Sequence, residues 1–228
     1  MVSLPDNNFF CISRTLFSVC SSWRKRWCNI FQQLKTYNSY AYRWTCWDFI
    51  IFHGVGGHPD ENWFPWLKEQ LEPLNFNVII PQFPTPENQT LENWLKVMEK
   101  YKDQLNKDTI LIGHSLGVPF ALNIIEKHQV KAAFLVAGFT GKVENEFDEG
   151  MKTFAQRQFN WQKIKANCKD FYIFHSDNDP YIKLDKAEEL AKNFNTKVEL
   201  IKGGGHLNQS AGYWTFDLLL DKIKANKK

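Results

Sequence analysis

From Asp48 onward, short apolar runs alternate with amphipathic segments along the chain. The apolar runs have the length of buried strands, and the apolar positions of the intervening segments recur at helical spacing. Strands that alternate with helices pair in parallel through right-handed crossovers, so helices cover both faces of the sheet. The predicted strands are residues 48–53, 76–80, 109–112, 132–137, 171–175 and 197–201.

Capping and loop signals place helices between these strands. Thr90 is a typical N-cap residue, and the proline-bearing stretch 81–88 indicates a loop, because proline cannot donate to a strand ladder. The pattern predicts an α/β fold, a three-layer α/β/α sandwich around a mostly parallel sheet. The predicted helices are residues 62–71, 90–105, 118–128, 183–194 and one from about 213, with a less regular helical region over 144–167.

Composition sets the first 47 residues apart. They carry six Lys or Arg against the single acid Asp6, a net charge of +5, which leaves −2 of the total +3 for residues 48–228. Four of the five cysteines lie there, at spacings that match no metal or redox motif. Arg14 interrupts the apolar stretch, so we expect no signal peptide and no membrane span. Residues 1–47 are predicted to be an extension, either poorly ordered, translated from an upstream start codon or targeting, and residues 48–228 to be one folded domain.

Size and charge narrow the class of protein. A chain of 228 residues can bury one sizeable core, and a net charge of +3 is too small to indicate a nucleic-acid partner. We therefore expect a protein that acts on a small molecule. The expected compartment is the cytoplasm, with an organelle reached through residues 1–47 as the alternative.

The sequence Gly113-His114-Ser115-Leu116-Gly117 fits the G-x-S-x-G pattern and falls where a predicted strand passes into a predicted helix. In such a nucleophile elbow the serine occupies a strained turn, and the two glycines let strand and helix approach closely. Serine needs an adjacent base to take its proton, so a histidine must follow later in the chain. His206 meets this need, because it follows a strand and the three glycines 203–205, which let the loop bend back.

The acid that orients the histidine is expected on the loop after the strand 171–175. Two aspartates compete there, Asp177 and Asp179. Asp179 is preferred because it precedes Pro180 at the far bend of the loop, whereas Asp177 is better placed to cap the turn. A buried carboxylate at this position would fix the tautomer of His206 and stabilise its cation.

Two backbone N–H groups are predicted to stabilise the oxyanion of a tetrahedral intermediate. One belongs to Leu116, directly after the nucleophile, and the other to Val55 in the glycine-rich turn after the first strand. That turn lacks the lysine of a phosphate-binding loop. His53, His58 and His114 lack the acids or thiolates that complete a metal site, so neither a metal nor a cofactor is expected.

Aromatic residues near this turn belong to the core by default, but some of them are expected to line an acyl pocket. Trp63 lies at the start of a helix beside the predicted oxyanion turn, and Trp161 precedes the strand that leads to the acid. The predicted pocket residues are His58, Trp63 and Trp161.

Together these segments resemble the family of small serine hydrolases typified by retinoblastoma-binding protein 9 and bacterial YdeN. The resemblance runs from about Phe49 to Phe216, and the leader before it has no counterpart in the family. It implies the triad Ser115, Asp179 and His206, a compact α/β-hydrolase fold without a large lid domain, and, from the family name, a protein partner as one option. The matching segments are His53–Gly57, Asn62-Trp63 with Trp66, Gly113–Gly117, Trp161–Cys168, Asp179-Pro180 and Gly205-His206.

The residues thus predict a serine hydrolase that cleaves a small carboxylic ester or amide through an acyl-serine intermediate. Acyl transfer and thioester cleavage by the same triad stay open, because fold and triad do not choose the acceptor. A protein-interaction module on the same scaffold is the alternative from a different class. An intact Ser, Asp and His set argues against that alternative as the sole role.

Overall fold

Six parallel strands form one sheet at the centre of the fold. The structure is a computed structural model that describes residues 47–226. The strands are β1 (Asp48–Phe52), β2 (Asn77–Ile79), β3 (Ile110–His114), β4 (Ala132–Val136), β5 (Asp170–Ser176) and β6 (Val198–Ile201). They lie in the order β2-β1-β3-β4-β5-β6, and every neighbouring pair is parallel, which confirms the predicted α/β sheet.

Seven α-helices lie between and after the strands within residues 47–226. The Thr90 hydroxyl accepts a hydrogen bond from the N–H of Asn93 at 3.2 Å, as expected for the N-cap of the second helix. That helix ends earlier than predicted and continues as a 3₁₀ helix over Glu99–Gln104. The helices are α1 (Phe64–Leu71), α2 (Leu91–Met98), α3 (Gly117–Ile125), α4 (Asp148–Ala155), α5 (Trp161–Asn167), α6 (Leu184–Phe194) and α7 (Asp217–Ala225).

The helical region predicted over 144–167 is two helices, α4 and α5. Two separate sets of side-chain hydrogen bonds explain the division. The Asp148 carboxylate accepts from the N–H groups of Val143 and Glu144, both at 2.9 Å, at the start of α4. The Asn160 side chain accepts from the N–H of Lys163 at 3.0 Å and starts α5.

The sheet separates two apolar cores. Alternate side chains of each strand face opposite sides, so Ile50 and Phe52 of β1 join one core while Phe49 and Ile51 join the other. Helices α2 to α6 contribute to the first core, and α1 and α7 contribute to the second. The predicted three-layer sandwich is therefore confirmed.

The order of strands reverses between β1 and β3. From β1 the chain moves outward to β2, and it then returns to place β3 on the other side of β1. At such a switch point the loops that leave the two strands diverge, so a crevice opens at the carboxyl ends of the strands. The glycine-rich turn after β1 and the G-x-S-x-G segment after β3 both lie at this edge.

The predicted extension lies outside the described residues, except for its last residue. Trp47 is buried, stacks on Phe76 with ring centroids 5.6 Å apart, and has the Lys131 ammonium 4.3 Å from its ring centroid. The packed region therefore includes Trp47. No helix in residues 47–226 combines the length and the apolar character needed to cross a bilayer.

Candidate active site

The G-x-S-x-G segment forms a tight turn between β3 and α3. Ser115 has a φ of 54°, a left-handed conformation that is rare for residues other than glycine, and it is buried. A Cβ on Gly117 would come within 2.2 Å of the carbonyl oxygen of Phe52, and one on Gly113 within 2.6 Å of the carbonyl oxygen of Gly117. Both glycines are therefore required by close backbone approach, as the motif predicts.

The predicted acid lies against the predicted base. Asp179 Oδ2 is 2.8 Å from His206 Nδ1, and the Asp179 side chain is fully buried. Its other oxygen, Oδ1, accepts from the N–H groups of Tyr181 at 2.9 Å and Ile182 at 3.1 Å. A carboxylate that accepts from Nδ1–H leaves Nε2 of His206 without a proton, which is the tautomer that a general base needs.

Burial by itself would raise the pKa of the Asp179 carboxyl, because it penalises the charged form. The hydrogen bond and the charge of His206, together with the two backbone N–H donors, outweigh burial and hold that pKa below its ordinary value. Asp179 is therefore ionised at neutral pH. An ionised carboxylate is what stabilises an imidazolium during catalysis.

The competing Asp177 serves a different purpose. Its Oδ1 accepts from the N–H of Gly203 at 2.8 Å, and the side chain of Asn178 accepts from the N–H of Gly205 at 2.8 Å. The Ser176 hydroxyl donates to the carbonyl oxygen of Gly205. Three consecutive residues, the last of β5 and the two that follow it, thus bind the glycines that precede His206 and fix the position of that loop.

The residues after His206 are held from the opposite side. Trp63 Nε1 donates to the carbonyl oxygen of Leu207 at 3.0 Å. Asn62 and Gln209 bind each other reciprocally: the N–H of Gln209 donates to Asn62 Oδ1 at 2.8 Å, and the N–H of Asn62 donates to Gln209 Oε1 at 3.4 Å. Leu207 itself adopts a φ of 50°. The histidine loop is therefore fixed on both flanks by side chains that belong to other loops.

His114 adds a further contact beneath His206. Its Nε2–H donates to the carbonyl oxygen of His206 at 2.9 Å, and the two rings lie 4.9 Å apart. Burial, together with repulsion by His206, lowers the pKa of His114 to about 3, so it stays neutral. His175 acts similarly on the acid loop, residues 177–183 around Asp179, where its Nε2–H donates to the carbonyl oxygen of Ile182 at 2.9 Å. Sequence reasoning did not assign either contact.

The predicted oxyanion turn lies beside Ser115. A Cβ on Gly54 would come within 3.0 Å of Ser115 Cβ, so a glycine lets the turn approach the elbow. The N–H of Gly56 donates to Thr85 Oγ1 at 2.7 Å, which anchors the far side of the turn. Val55 lines the same cavity as Ser115, and Leu116 follows Ser115 with its side chain in the core.

A cavity of about 210 Å³ opens above these groups. The Ser115 hydroxyl and the His206 imidazole both line it, although no hydrogen bond joins them among the described contacts. Such bonds are often long before a substrate binds. The lining residues are Gly54, Val55, Glu61, Asn62, His114, Ser115, Val143, Asn145, Phe147, Met151, Tyr181, Ile182, His206 and Asn208.

Three predicted pocket residues are absent from this lining, and the structure corrects them. Trp63 is fully buried and supports the histidine loop instead, as described above. Trp161 packs on Phe194 with ring centroids 5.5 Å apart, away from the serine. The side chain of His58 is 55% exposed and lies 4.0 Å from that of Glu61. The apolar lining comes instead from the segment 143–151 and from the acid loop, where no motif marked it.

Comparison with known proteins now identifies the family. The sequence profile of the serine hydrolase family matches residues 49–224. The chain belongs to the serine hydrolase family. Its resemblance to YdeN and retinoblastoma-binding protein 9, and its α/β-hydrolase fold, are thereby confirmed.

Three similar proteins show how far the likeness extends. YdeN of Bacillus subtilis is 28% identical over 177 residues, which cover 76% of this chain and 92% of YdeN. The serine hydrolase RBBP9 of Rattus norvegicus is 30% identical over 164 residues, 71% of this chain and 87% of RBBP9. The crystal structure of the B. subtilis ydeN gene product superposes with a TM-score of 0.72 at 27% identity, covering 79% of this chain and 97% of that one.

Among the described residues of this serine hydrolase, no group of three or more His, Cys, Asp or Glu side chains is arranged to hold a metal ion. The histidines at the catalytic edge have other partners. His53 donates from Nδ1 to the carbonyl oxygen of Gly54 at 2.9 Å and accepts at Nε2 from the N–H of Phe83 at 3.1 Å. Both ring nitrogens of His53 are therefore already in use.

Proposed function

We propose that this serine hydrolase cleaves a small carboxylic ester or amide through an acyl-serine intermediate. Ser115 is the nucleophile, His206 the general base and Asp179 the acid that orients the base. Water is the final acyl acceptor. The hydrogen bond between Asp179 and His206 at 2.8 Å, beside a serine held in a left-handed turn, is the observation that carries this proposal.

Acylation begins when Nε2 of His206 takes the proton of the Ser115 hydroxyl as Oγ bonds to the substrate carbonyl carbon. The carbonyl π electrons move to oxygen, and the N–H groups of Val55 and Leu116 stabilise the resulting oxyanion. When the tetrahedral intermediate collapses, the bond to the leaving group breaks. His206 then gives its proton to the departing alcohol or amine, and an acyl-serine remains.

Deacylation repeats the sequence with water as the nucleophile. His206 takes a proton from water as the water oxygen bonds to the acyl carbon, and a second oxyanion forms in the same place. Collapse breaks the bond to Oγ, which recovers a proton from His206, and a carboxylic acid leaves. Asp179 stabilises the imidazolium in both halves and keeps its own negative charge.

A fluorophosphonate probe tests the proposal directly, because it labels an activated serine. We expect covalent labelling of the wild-type chain at Ser115, and hydrolysis of 4-nitrophenyl butanoate. Ser115→Ala should abolish labelling and lower kcat by about 10⁴-fold or more, with an unchanged thermal unfolding midpoint. Ser210→Ala, which removes an exposed hydroxyl from the loop after His206, is the matched control and should keep the label.

Two outcomes would contradict the proposal. One is labelling that persists in Ser115→Ala, and the other is ester turnover at the wild-type rate in that variant. Ester exchange with an added alcohol, in place of release of the free acid, would instead favour acyl transfer over hydrolysis.

A further inference from the structure

The lining of the cavity above Ser115 carries one acidic side chain and no Lys or Arg. The acidic side chain is that of Glu61. Asp179 is buried behind His206 and does not line the cavity. A substrate in this cavity therefore meets one negative side chain that the proposed triad does not use.

Glu61 is partly withdrawn from water. Its side chain is 23% exposed, and Oε1 accepts a hydrogen bond from the Asn62 side chain at 3.0 Å. A Cβ on Gly57 would come within 2.6 Å of Oε1, so the glycine leaves room for this carboxylate. Burial raises the pKa of the Glu61 carboxyl, because the charged form is incompletely compensated.

The ion pairs of the described residues give Glu61 one basic neighbour, and it is weak. His58 Nε2 lies 4.0 Å from Glu61 Oε2, and the His58 side chain is 55% exposed. At this distance and exposure, solvent screens the pair strongly. The carboxylate therefore lacks the strong cationic partner that a half-buried charge normally has.

The lining divides into two groups of different chemistry. Four apolar side chains come from the segment 143–151 and the acid loop; they are Val143, Phe147, Met151 and Ile182. The second group is polar and consists of Glu61, Asn62 and Asn208, while Asn145 is a polar lining residue within the segment 143–151. The second group adjoins the histidine loop, since Asn208 follows His206 by two residues and Asn62 binds Gln209.

This position determines which part of a substrate meets Glu61. The leaving group must receive a proton from His206, so it lies beside the histidine loop when the tetrahedral intermediate collapses. The polar group of side chains borders that loop, whereas the apolar group offers a surface for a short acyl chain. A half-buried carboxylate attracts a cation and repels an anion more strongly than a fully solvated one.

We propose that Glu61 forms a cation-binding subsite, and that the preferred substrates carry a positively charged ammonium on the leaving-group side of a short, apolar acyl group. This inference rests on the proposed function, because it assigns sides of the cavity from the role of His206. In this proposal Glu61 selects the substrate, and the proposed triad carries out bond making and breaking.

Three butanoate esters that differ in the charge of the alcohol test the subsite. They are the choline ester, which is cationic, the 3,3-dimethylbutyl ester, which is its neutral isostere, and the 3-sulfopropyl ester, which is anionic. Hydrolysis by the full chain at pH 8 is followed by titration of the released acid. We expect kcat/KM to be about threefold to tenfold higher for the choline ester than for the neutral ester, and lowest for the anionic ester.

Two further measurements separate a subsite from other causes. Glu61→Gln should bring the three esters to within about twofold of one another, while Asp60→Asn, which removes an exposed charge one residue away, should leave their ratios unchanged. In the wild-type chain the preference should fall as ionic strength rises. The salt series needs no variant, so it tests the subsite even if Glu61→Gln folds poorly.

Several outcomes would overturn the subsite. They are equal rates for the cationic and neutral esters, a loss of the preference in Asp60→Asn, and a Glu61→Gln variant that slows all three esters alike with their ratios intact. Failure of the proposed function looks different, since the neutral ester would then be stable and the fluorophosphonate probe would not label Ser115.

Discussion

The two sides of the candidate active site are built differently. On the catalytic edge, backbone conformation and hydrogen bonds hold each group. Ser115 is held by its left-handed φ of 54°, and the His206 loop by contacts from two other loops and from the end of β3. The opposite wall, residues 143–151, is fastened near the surface. There Asn145 donates to the carbonyl oxygen of Tyr181 at 3.0 Å, and an exposed ion pair joins Glu144 to Lys183 at 3.2 Å. The difference implies that the chemistry depends on fixed backbone, whereas selectivity depends on replaceable side chains.

Substitutions at the two aspartates of the acid loop are expected to have the largest effect on the catalytic edge. Asp179→Asn should lower kcat by about 10⁴-fold, because an amide would favour the wrong tautomer of His206. Asp177→Asn keeps an oxygen that can accept from the N–H of Gly203, so it should cost less than about tenfold. Steady-state kinetics on the neutral butanoate ester measure both. A larger loss in Asp177→Asn would show that the acid is wrongly assigned.

Those features of the catalytic edge that depend on local sequence were predictable from the sequence alone. The elbow is a five-residue pattern between a strand and a helix, and the proposed triad follows in the order Ser, Asp, His along the chain. The contacts that hold the His206 loop in place were not predictable from the sequence. His114, Trp63 and Asn62 bind this loop from positions about 90 to 150 residues away in sequence. The sequence predicts Trp63 as a core residue that also walls the pocket; in the structure it is fully buried, is absent from the cavity lining and reaches Leu207 through its indole N–H.

The wall was the least predictable region. Phe147 and Met151 occur in a segment with irregular apolar spacing, and only its fold into α4 brings them over Ser115. Tyr181 and Ile182 are close in sequence to the predicted acid, but nothing in their order shows which way they face. Side chains that line a cavity are selected by tertiary packing, and hydrophobic periodicity does not report it.

Two glycines extend the comparison from activity to stability. Gly117→Ala should lower the free energy of unfolding by more than about 3 kcal/mol, since its Cβ would overlap the carbonyl oxygen of Phe52. Gly141, which shortly precedes the wall segment 143–151, has a φ of 73° but open space around it. Gly141→Ala should therefore lower the free energy of unfolding by only about 1 to 2 kcal/mol. Urea unfolding of both variants measures the difference. Equal losses would mean that the elbow tolerates movement.

Acid should destabilise the edge through its buried histidines. Burial lowers the pKa of His53 to about 4 and, with repulsion by His206, that of His114 to about 3. The unfolded chain, with histidine pKa values of about 6.5, therefore binds more protons, and stability falls as pH drops below that value. We expect a loss of about 2 to 4 kcal/mol between pH 7 and pH 5.

Urea unfolding at several pH values measures this loss, and variants assign it. His114→Asn should reduce the slope of unfolding free energy against pH by about a third to a half, because it removes one of three buried histidines whose pKa values are lowered by burial, namely His53, His114 and His175. His128→Asn changes an exposed histidine and should leave the slope as it is. A free energy that stays constant from pH 7 to pH 5 would mean that these histidines are not buried in the neutral form.

The smallest effect on activity is expected in the wall segment 143–151, where one side chain can be replaced without disturbing the catalytic edge. Phe147→Ala should raise kcat/KM for the octanoate ester relative to the butanoate ester by about tenfold, because it enlarges the apolar part of the cavity. Tyr101→Ala is a matched control: Tyr101 also packs partly buried on the same core but does not line the cavity. Its octanoate-to-butanoate ratio should stay at the wild-type value. If both variants shifted the ratio equally, a general loosening of the core would explain chain-length preference, and the wall would have no separate role.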